Sequence, residues 1–390
     1  RGVTPEGFEV YDRMMHDLLR DYRLPGASIA VTDGGRVVFA KGYGYADIAA
    51  KEAVEVDSLF RIASVSKPIT AVAIMQLVEQ GKLALDDKLW EVLDWNAEIE
   101  AAEGFDPRQR DITIRHLLQH RGGWDRKESF DAMFQSVRFA QELGIDPPAD
   151  PLLVMKAMLR QPLDFAPGER YAYSNYGYCL LGRVIEQLSG QDYQSYVQQH
   201  VLAPIDVSAM RLGKTRLSER ASKEVRYYHS QRGDSVFADS LGREVPSAYG
   251  AWYLEAMDAH GGWLATASDI AKFAAAFDDR EGCAILSRDS IDVMQARPDG
   301  LAGFDENGKP KDVYYSLGWN NRDLGDGRFN HWHGGSLPGT TTIVIRRHDG
   351  KNFVALLNTR QSHDDQPLSG VVDRLLHEMA NQVPEWPVSP

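Results

Sequence analysis

Apolar positions along this chain change their spacing several times, and each change marks a change of element. Between Thr4 and Tyr22, Phe8, Tyr11, Met15 and Leu18 or Leu19 recur at helical spacing until Pro25-Gly26 stops the run, which predicts a helix. Residues 27–32 and 36–41 are β-rich runs around Asp33-Gly34-Gly35, the pattern of a hairpin. A long amphipathic helix is predicted to open at Ser64 and run to Gly81, with Phe60-Arg61-Ile62-Ala63 leading into it. Leu83 to Leu93 comes next, and then the short run 112–120 resembles a short helix; further helical patterns cover 152–159 and 178–188, the last closed by Ser189-Gly190. Residues 64–200 therefore read as mainly helical.

Two stretches break these patterns. The polar, proline-containing run from Trp124 to about Asp150 reads as a long surface excursion. Between Arg226 and Trp263 the sequence is irregular but rich in aromatics: Tyr227, Tyr228, Phe237, Tyr249, Trp252 and Tyr253. A wall facing substrate and ordinary packing are both open readings for them. A capped helix then begins at Ala267-Ser268-Asp269-Ile270. Residues 340–346 and 352–358 are β runs about the turn His348-Asp349-Gly350, and a last helix is predicted at 367–381. Hairpins near both ends, with helices between, predict one sheet assembled from both termini. The expected division is an α/β sandwich domain from 1–62 and 262–390, and a mainly helical domain, with long loops, over 63–261.

Composition changes this picture little but excludes several functions. At 390 residues, 43% hydrophobic and 25% charged, the chain has the length for two domains and the make-up of a soluble globular protein. Forty-three basic against 56 acidic residues leave a net charge of −13, which argues against nucleic acid or an anionic membrane as a general partner. No apolar run is long enough to span a bilayer. Cys179 and Cys283, the only cysteines, are too few for a disulfide framework or a thiolate metal site. The chain opens on Arg1 without a methionine, so a processed or trimmed protein is expected, periplasmic or secreted, with a cytoplasmic location left open.

The candidate chemistry begins at Ser64-Val65-Ser66-Lys67, the chain's only S-x-x-K. Ser64 is expected to cap the helix, Pro68 to fall in its first turn and Gly81 to end it. Residues three apart share a helix face, which sets Lys67 beside the Ser64 hydroxyl. A serine is a weak nucleophile until its proton is removed, and an adjacent neutral amine can remove it. Making a lysine neutral at pH 7 costs roughly 4–5 kcal/mol from an ordinary pKa of about 10.4, so Lys67 must be desolvated. A second element is Tyr173-Ser174-Asn175, where a phenol can pass a proton and an amide can hold both a lysine and a substrate carbonyl. The third is His333-Gly334-Gly335-Ser336, whose glycines permit close approach of a substrate and whose Ser336 N–H can join that of Ser64 as an oxyanion hole. His120, His260 and His348 also begin an H-x-G, but His333 alone precedes a strand after the other two motifs. His331-Trp332-His333 would place two imidazoles on one face of a strand, yet neither H-E-x-x-H nor an obvious third ligand accompanies them. No metal or other cofactor is called for, and no G-x-S-x-G elbow occurs.

Taken in order, these three motifs resemble the signatures of the penicillin-recognising serine hydrolases: class C β-lactamases, D,D-peptidases, D-aminopeptidases and related esterases. Leu24-Pro25-Gly26-Ala27, Ile114-Arg115-His116-Leu117-Leu118 and Gly261-Gly262-Trp263-Leu264-Ala265-Thr266 are similar to recurrent stretches of that family, so the likeness covers most of the chain. The resemblance implies an α/β fold of the β-lactamase/transpeptidase type, an antiparallel sheet flanked by helices plus an all-helical domain, with the active site in the cleft between them. It further implies that Ser64 attacks an acyl carbonyl, Lys67 and Tyr173 share the proton work, Asn175 orients substrate and Lys67, and the Ser64 and Ser336 amides hold the oxyanion. One departure stands out: typical β-lactamases carry a lysine where His333 stands, and a histidine is a weaker, pH-dependent anchor for a carboxylate. The expected function is accordingly a serine hydrolase of a small ester, amide or peptide, of carboxylesterase or D-amino-acid peptidase type. The alternatives are a β-lactamase and a non-catalytic relative that binds cell-wall peptide or serves as a scaffold. The sequence leaves the oligomeric state open.

Overall fold

The structure, a computed structural model, describes residues 2–387; the outermost residues of the expected sandwich domain, 1 and 388–390, lie outside the described residues. The first helix, α1 (Glu9–Asp21), starts later than its apolar spacing predicts. Thr4 Oγ1 and Lys41 Nζ both donate to Asp12 Oδ2, at 2.6 and 2.8 Å, which holds the preceding segment against the helix instead of extending it. The hairpin follows as β1 (Gly26–Asp33) and β2 (Arg36–Asp47), with β3 (Glu52–Ala53) paired to the end of β2.

Helix α2 (Ser66–Glu79) follows a single 3-10 turn at Ala63–Val65 and stops where Gly81 turns left-handed at φ 68°. It is not amphipathic as its pattern predicts: every residue from Ser66 to Leu77 is buried, the mark of a helix surrounded by protein on all sides. Helix α3 (Asn175–Ser189) packs against it, and α4 (Ala267–Ala275) carries the expected capping box at Thr266 and Asp269.

The C-terminal part contributes β4 (Val313–Tyr315), β5 (Asn320–Asp323), β6 (Phe329–Leu337), β7 (Thr340–Arg346) and β8 (Lys351–Leu357), then α5 (Ser369–Gln382). All eight strands form one antiparallel sheet in the order β3-β2-β1-β8-β7-β6-β5-β4. Its centre is the pairing of β1 with β8, from Ala27 opposite Leu357 to Asp33 opposite Lys351, so the two ends of the chain meet in neighbouring strands.

Both faces of this sheet are covered, which explains why its central strands read as continuous apolar runs. Ile29, Val31, Ile343, Ile345, Phe353 and Ala355 pack with Tyr11, Met15, Leu376 and Met379 of α1 and α5. Alternate residues Ala30, Val344, Val354 and Leu356 face the opposite way, towards Ile270 and Phe273 of α4 and the apolar body around α2 and α3. Among the described residues no helix is long and apolar enough to cross a membrane.

The stretch after Trp124 is not the surface excursion that its polarity predicts. Ala132, Met133, Phe139, Ala140 and Ala149 are buried, and a 3-10 turn at Ala132–Phe134 and a short helix at Ser136–Glu142 fold against the helical body. The aromatics of 226–263 likewise serve packing. Tyr227, Tyr249 and Trp252 surround the guanidinium of Arg61, with ring centroids at 4.4, 5.4 and 5.5 Å.

Candidate active site

Ser64 sits in the 3-10 turn ahead of α2, and that turn is held from both sides. The Ile62 N–H donates to Trp263 O at 2.9 Å, and Thr342 Oγ1 of β7 donates to Ile62 O at 2.8 Å. Gly335 of β6 packs so closely that a Cβ there would collide with Ile62 O and Thr342 Oγ1, so only glycine fits. Ala63 adopts φ 49°, a left-handed conformation that disfavours a Cβ, immediately before Ser64. Ser64 does not cap the helix as its sequence position predicts. Val65 takes the cap position, without a side-chain bond, because the preceding turn already has helical geometry. Ser64 Oγ is thereby left to other partners: it accepts from Tyr173 Oη at 2.8 Å and from Lys67 Nζ at 3.2 Å.

Lys67 is wholly buried, and its ammonium donates to two further acceptors, Asn175 Oδ1 at 2.8 Å and the His260 carbonyl at 2.9 Å. Burial drives its pKa well below that of an ordinary lysine; the carboxylate of Asp131 works against this and the guanidinium of Arg126 adds to it. Three imidazoles around it, those of His120, His260 and His333, are held neutral mainly by their own burial. Burial also raises the Tyr173 phenol, which therefore stays protonated.

Tyr173-Ser174-Asn175 leads into α3: Ser174 is the N-cap, its Oγ accepting from Gly177 N at 3.3 Å, and Asn175 is the first helical residue. This cap aims Asn175 at Lys67. The Tyr173 ring lies 4.3 Å, centroid to centroid, from the ring of His120, and the guanidinium of Arg126 covers it at 4.8 Å. His120 is itself left-handed, at φ 56°, and its Nδ1 accepts from Ser174 N at 3.2 Å, which couples the end of the 112–120 run to the Tyr173 loop.

His333 departs from its expected part as a pH-dependent anchor. It is 2% exposed, its Nε2 is bonded to Tyr315 Oη at 3.0 Å and its Nδ1 lies 2.8 Å from Gly334 O. Desolvation takes its pKa down to about 3, with the nearby Lys67 contributing, so the ring is neutral in ordinary buffers and presents no cation. His331, its neighbour on the strand, is committed elsewhere through Nδ1 to Asn321 Oδ1 at 2.7 Å. Ser336 is exposed and lines the cleft with Ser64, while a Cβ on Gly334 would meet only Thr342 O, at 3.8 Å.

That cleft holds about 640 Å³ and is walled by Arg126, Phe134, Met257, His260, Pro338 and Arg360 as well as by Ser64, Asn175 and Ser336. A second recess, about 550 Å³, adjoins it at Arg126 and Asn175 and runs back between Trp124, Phe130, Asp131 and Met158. Arg126, Asp131 and the His260 carbonyl were not singled out for this site from the sequence. No motif carries them, and the polarity of 124–135 gave no sign that this segment folds over the nucleophile. His260 and His120 were visible as H-x-G starts, but their roles here are those of a backbone acceptor and a buried ring.

The arrangement offers a hydroxyl between an amine and a phenol, at the mouth of a cleft. A family model described as Beta-lactamase matches residues 11–377. The chain is 27% identical over 368 residues to a penicillin-binding protein of Bacillus subtilis, covering 92% of this chain and 74% of the relative. It is 31% identical over 246 residues to the esterase EstB of Burkholderia gladioli, covering 62% of this chain and 59% of that enzyme. Among solved structures, a D-amino acid amidase of Ochrobactrum anthropi SV3 superposes with a TM-score of 0.73 at 22% identity, over 98% of this chain and all 100% of the other. An octameric penicillin-binding protein homologue of Pyrococcus abyssi gives 0.72 at 23% identity, over 97% and 78% of the two chains. The structural matches speak for the fold, and the family model covers nearly the whole sequence: the chain belongs to the Beta-lactamase family, and it is a serine hydrolase.

Proposed function

We propose that the protein cleaves a small carboxylic ester or amide through an acyl-Ser64 intermediate. The observation that carries this reading is the triple hold on Lys67. When Nζ is a neutral amine, its two hydrogens go to the Asn175 Oδ1 and His260 carbonyl acceptors, and the lone pair is left facing Ser64 Oγ at 3.2 Å. Burial supplies the neutral form, and a phenol kept protonated beside the same oxygen serves better as donor than as base. Lys67 is therefore the acylation base in this reading, and Tyr173 passes the proton onward.

Ser64 Oγ attacks the carbonyl carbon as its proton moves to Lys67 Nζ, and the carbonyl oxygen takes up negative charge between the Ser64 and Ser336 N–H groups. Collapse breaks the bond to the leaving group, which receives a proton by way of Tyr173 Oη. Water then attacks the acyl carbon as one of its protons moves to Lys67 Nζ; collapse breaks the bond to Ser64 Oγ, which takes a proton back by way of Tyr173 Oη, and the acid leaves. The names of the esterase and the amidase support an ester or amide as substrate. A β-lactamase is disfavoured, because the His333 ring that replaces the usual lysine is buried and uncharged. The test is intact-mass analysis after treatment with an alkyl p-nitrophenyl phosphonate: one adduct on the wild type and none on Ser64→Ala is expected, and an unmodified wild type overturns the proposal.

A further inference from the structure

We propose that Asp131 is a positioning residue of this site: its carboxylate fixes the Asn175 side chain so that the amide oxygen, and not the amide nitrogen, faces Lys67. The inference rests on the reading of Lys67 as the base.

The two ends of an asparagine amide are nearly equal in size, and their hydrogen-bond partners decide which way they point. Asp131 Oδ2 lies 2.7 Å from Asn175 Nδ2, and a carboxylate can only accept, so the nitrogen is pinned on that side. The oxygen is then delivered to Lys67 Nζ on the other side, at 2.8 Å. Were the amide reversed, an oxygen would oppose the carboxylate and an N–H would point at the amine. That N–H would occupy the lone pair on which the Ser64 proton must land, and base catalysis would be blocked at the atom that performs it.

Asp131 is itself well held. Its Oδ1 accepts from Met133 N at 3.2 Å, capping the 3-10 turn Ala132–Phe134, and the Arg126 guanidinium stands 3.7 Å from Oδ2. Its side chain is 15% exposed and borders the recess beside the cleft. Lys67 is faced by Tyr173, by Asn175 and Tyr178 from α3, by His120, by His260, by His333 from β6 and by Ser64. The tyrosines are kept protonated and the imidazoles neutral by burial, which leaves Asp131 and Arg126 as the charges acting on the amine, with opposite signs.

Three variants separate this role from a structural one. Asp131→Asn keeps an acceptor for Asn175 Nδ2 without the charge. Asp131→Ser keeps a hydroxyl for the Met133 cap but is too short to hold Asn175. Arg126→Gln removes the opposing charge. With a p-nitrophenyl ester as substrate, kcat is expected within about 5-fold of wild type for Asp131→Asn and about 10- to 100-fold lower for Asp131→Ser, with KM and Tm of the latter nearly unchanged. In protein labelled with 13Cε-lysine, the titration midpoint of Lys67 is expected to fall in Asp131→Asn and to rise in Arg126→Gln. A wild-type kcat in Asp131→Ser, or the same Lys67 midpoint in all three proteins, overturns the inference. The titration does not depend on turnover, so a wild type without hydrolase activity would refute the proposed function while Asp131 is still tested.

Discussion

Tyr173 Oη lies 2.8 Å from Ser64 Oγ, nearer than Lys67 Nζ at 3.2 Å, although the tyrosine is 109 residues further along the chain and the lysine only three. The remote residue is thus the closer partner, and the two contacts assign different jobs. Removing the phenol leaves the lysine and the nucleophile in place. Tyr173→Phe is expected to lower kcat for a p-nitrophenyl ester by about 10²- to 10⁴-fold with little change in KM. Lys67→Ala should do at least as much, and Ser64→Ala should abolish turnover. Stopped-flow and steady-state rates on the three purified variants check the order.

Acid should unfold the protein by charging histidines that are buried neutral. His331 and His333 have pKa values taken down to about 3 and His116 to about 4, in each case chiefly by desolvation. A folded-state value below the unfolded value of about 6.5 means that the unfolded chain binds more protons. The stability that these rings contribute is therefore complete above pH 6.5 and is lost as pH falls towards 3 to 4, by about 1.4 kcal/mol per pH unit for the deeply buried His331 and His333 and by less for the more exposed His116. Urea melts between pH 7 and pH 4 are expected to show this loss in the wild type and a smaller one in His331→Gln. A pH-independent midpoint would contradict the burial of these rings.

The same burial predicts that His333 contributes no limb to the activity profile. The acid limb of kcat/KM should report Lys67, and His333→Gln should leave its position unchanged while altering the rate. Nitrocefin should be a poor substrate beside a p-nitrophenyl ester, since a fixed cation in a desolvated charge pair is worth about 2–5 kcal/mol and this chain has none at 333. Parallel assays on the two chromogens decide the point.

Two adjacent glycines should behave oppositely. A Cβ on Gly335 would strike Ile62 O and Thr342 Oγ1, the atoms that hold the Ser64 turn, whereas Gly334 has nothing nearer than Thr342 O at 3.8 Å. Gly335→Ala is expected to lower Tm and reduce turnover by more than about 100-fold by displacing the nucleophile. Gly334→Ala should change stability by less than about 0.5 kcal/mol. Calorimetry and ester turnover on the pair test this.

Arg61 is 1% exposed, and its guanidinium donates to Ala248 O at 2.7 Å and Lys214 O at 2.8 Å, with Glu224 at 3.6 Å. Arg61→Ala would leave that carboxylate and three carbonyls, those of Ala248, Lys214 and Thr215, without their partner and empty the space inside three rings. A loss of about 3–5 kcal/mol in urea unfolding is expected.

Much of this molecule is legible in its sequence. Ser64, Lys67, Tyr173 and Asn175 could be named because their chemistry travels in short motifs, and the sheet because its strands alternate or run apolar between turn residues. The rest was hidden for physical reasons. Asp131 reaches Asn175 across 44 residues, and neither residue's neighbours encode that contact. Burial of His333 depends on Tyr315 of β4, a three-residue strand too short for any periodicity to reveal. Helix α2 looked amphipathic because its polar residues Ser66, Lys67 and Thr70 suggest a wet face, yet they are buried and bonded inside the protein.

Because β1 has β2 on one side and on the other finds its neighbour only in β8, synthesis must run through Lys351–Leu357 before the first strand gains its second edge. The seat of the nucleophile is built from β6 and β7, so a nascent chain carrying Ser64, Lys67 and Tyr173 still lacks the floor beneath them. Hydrolytic competence is therefore a late event in the life of each molecule, and translation intermediates stalled before Leu357 should remain unlabelled by a phosphonate that marks the finished protein.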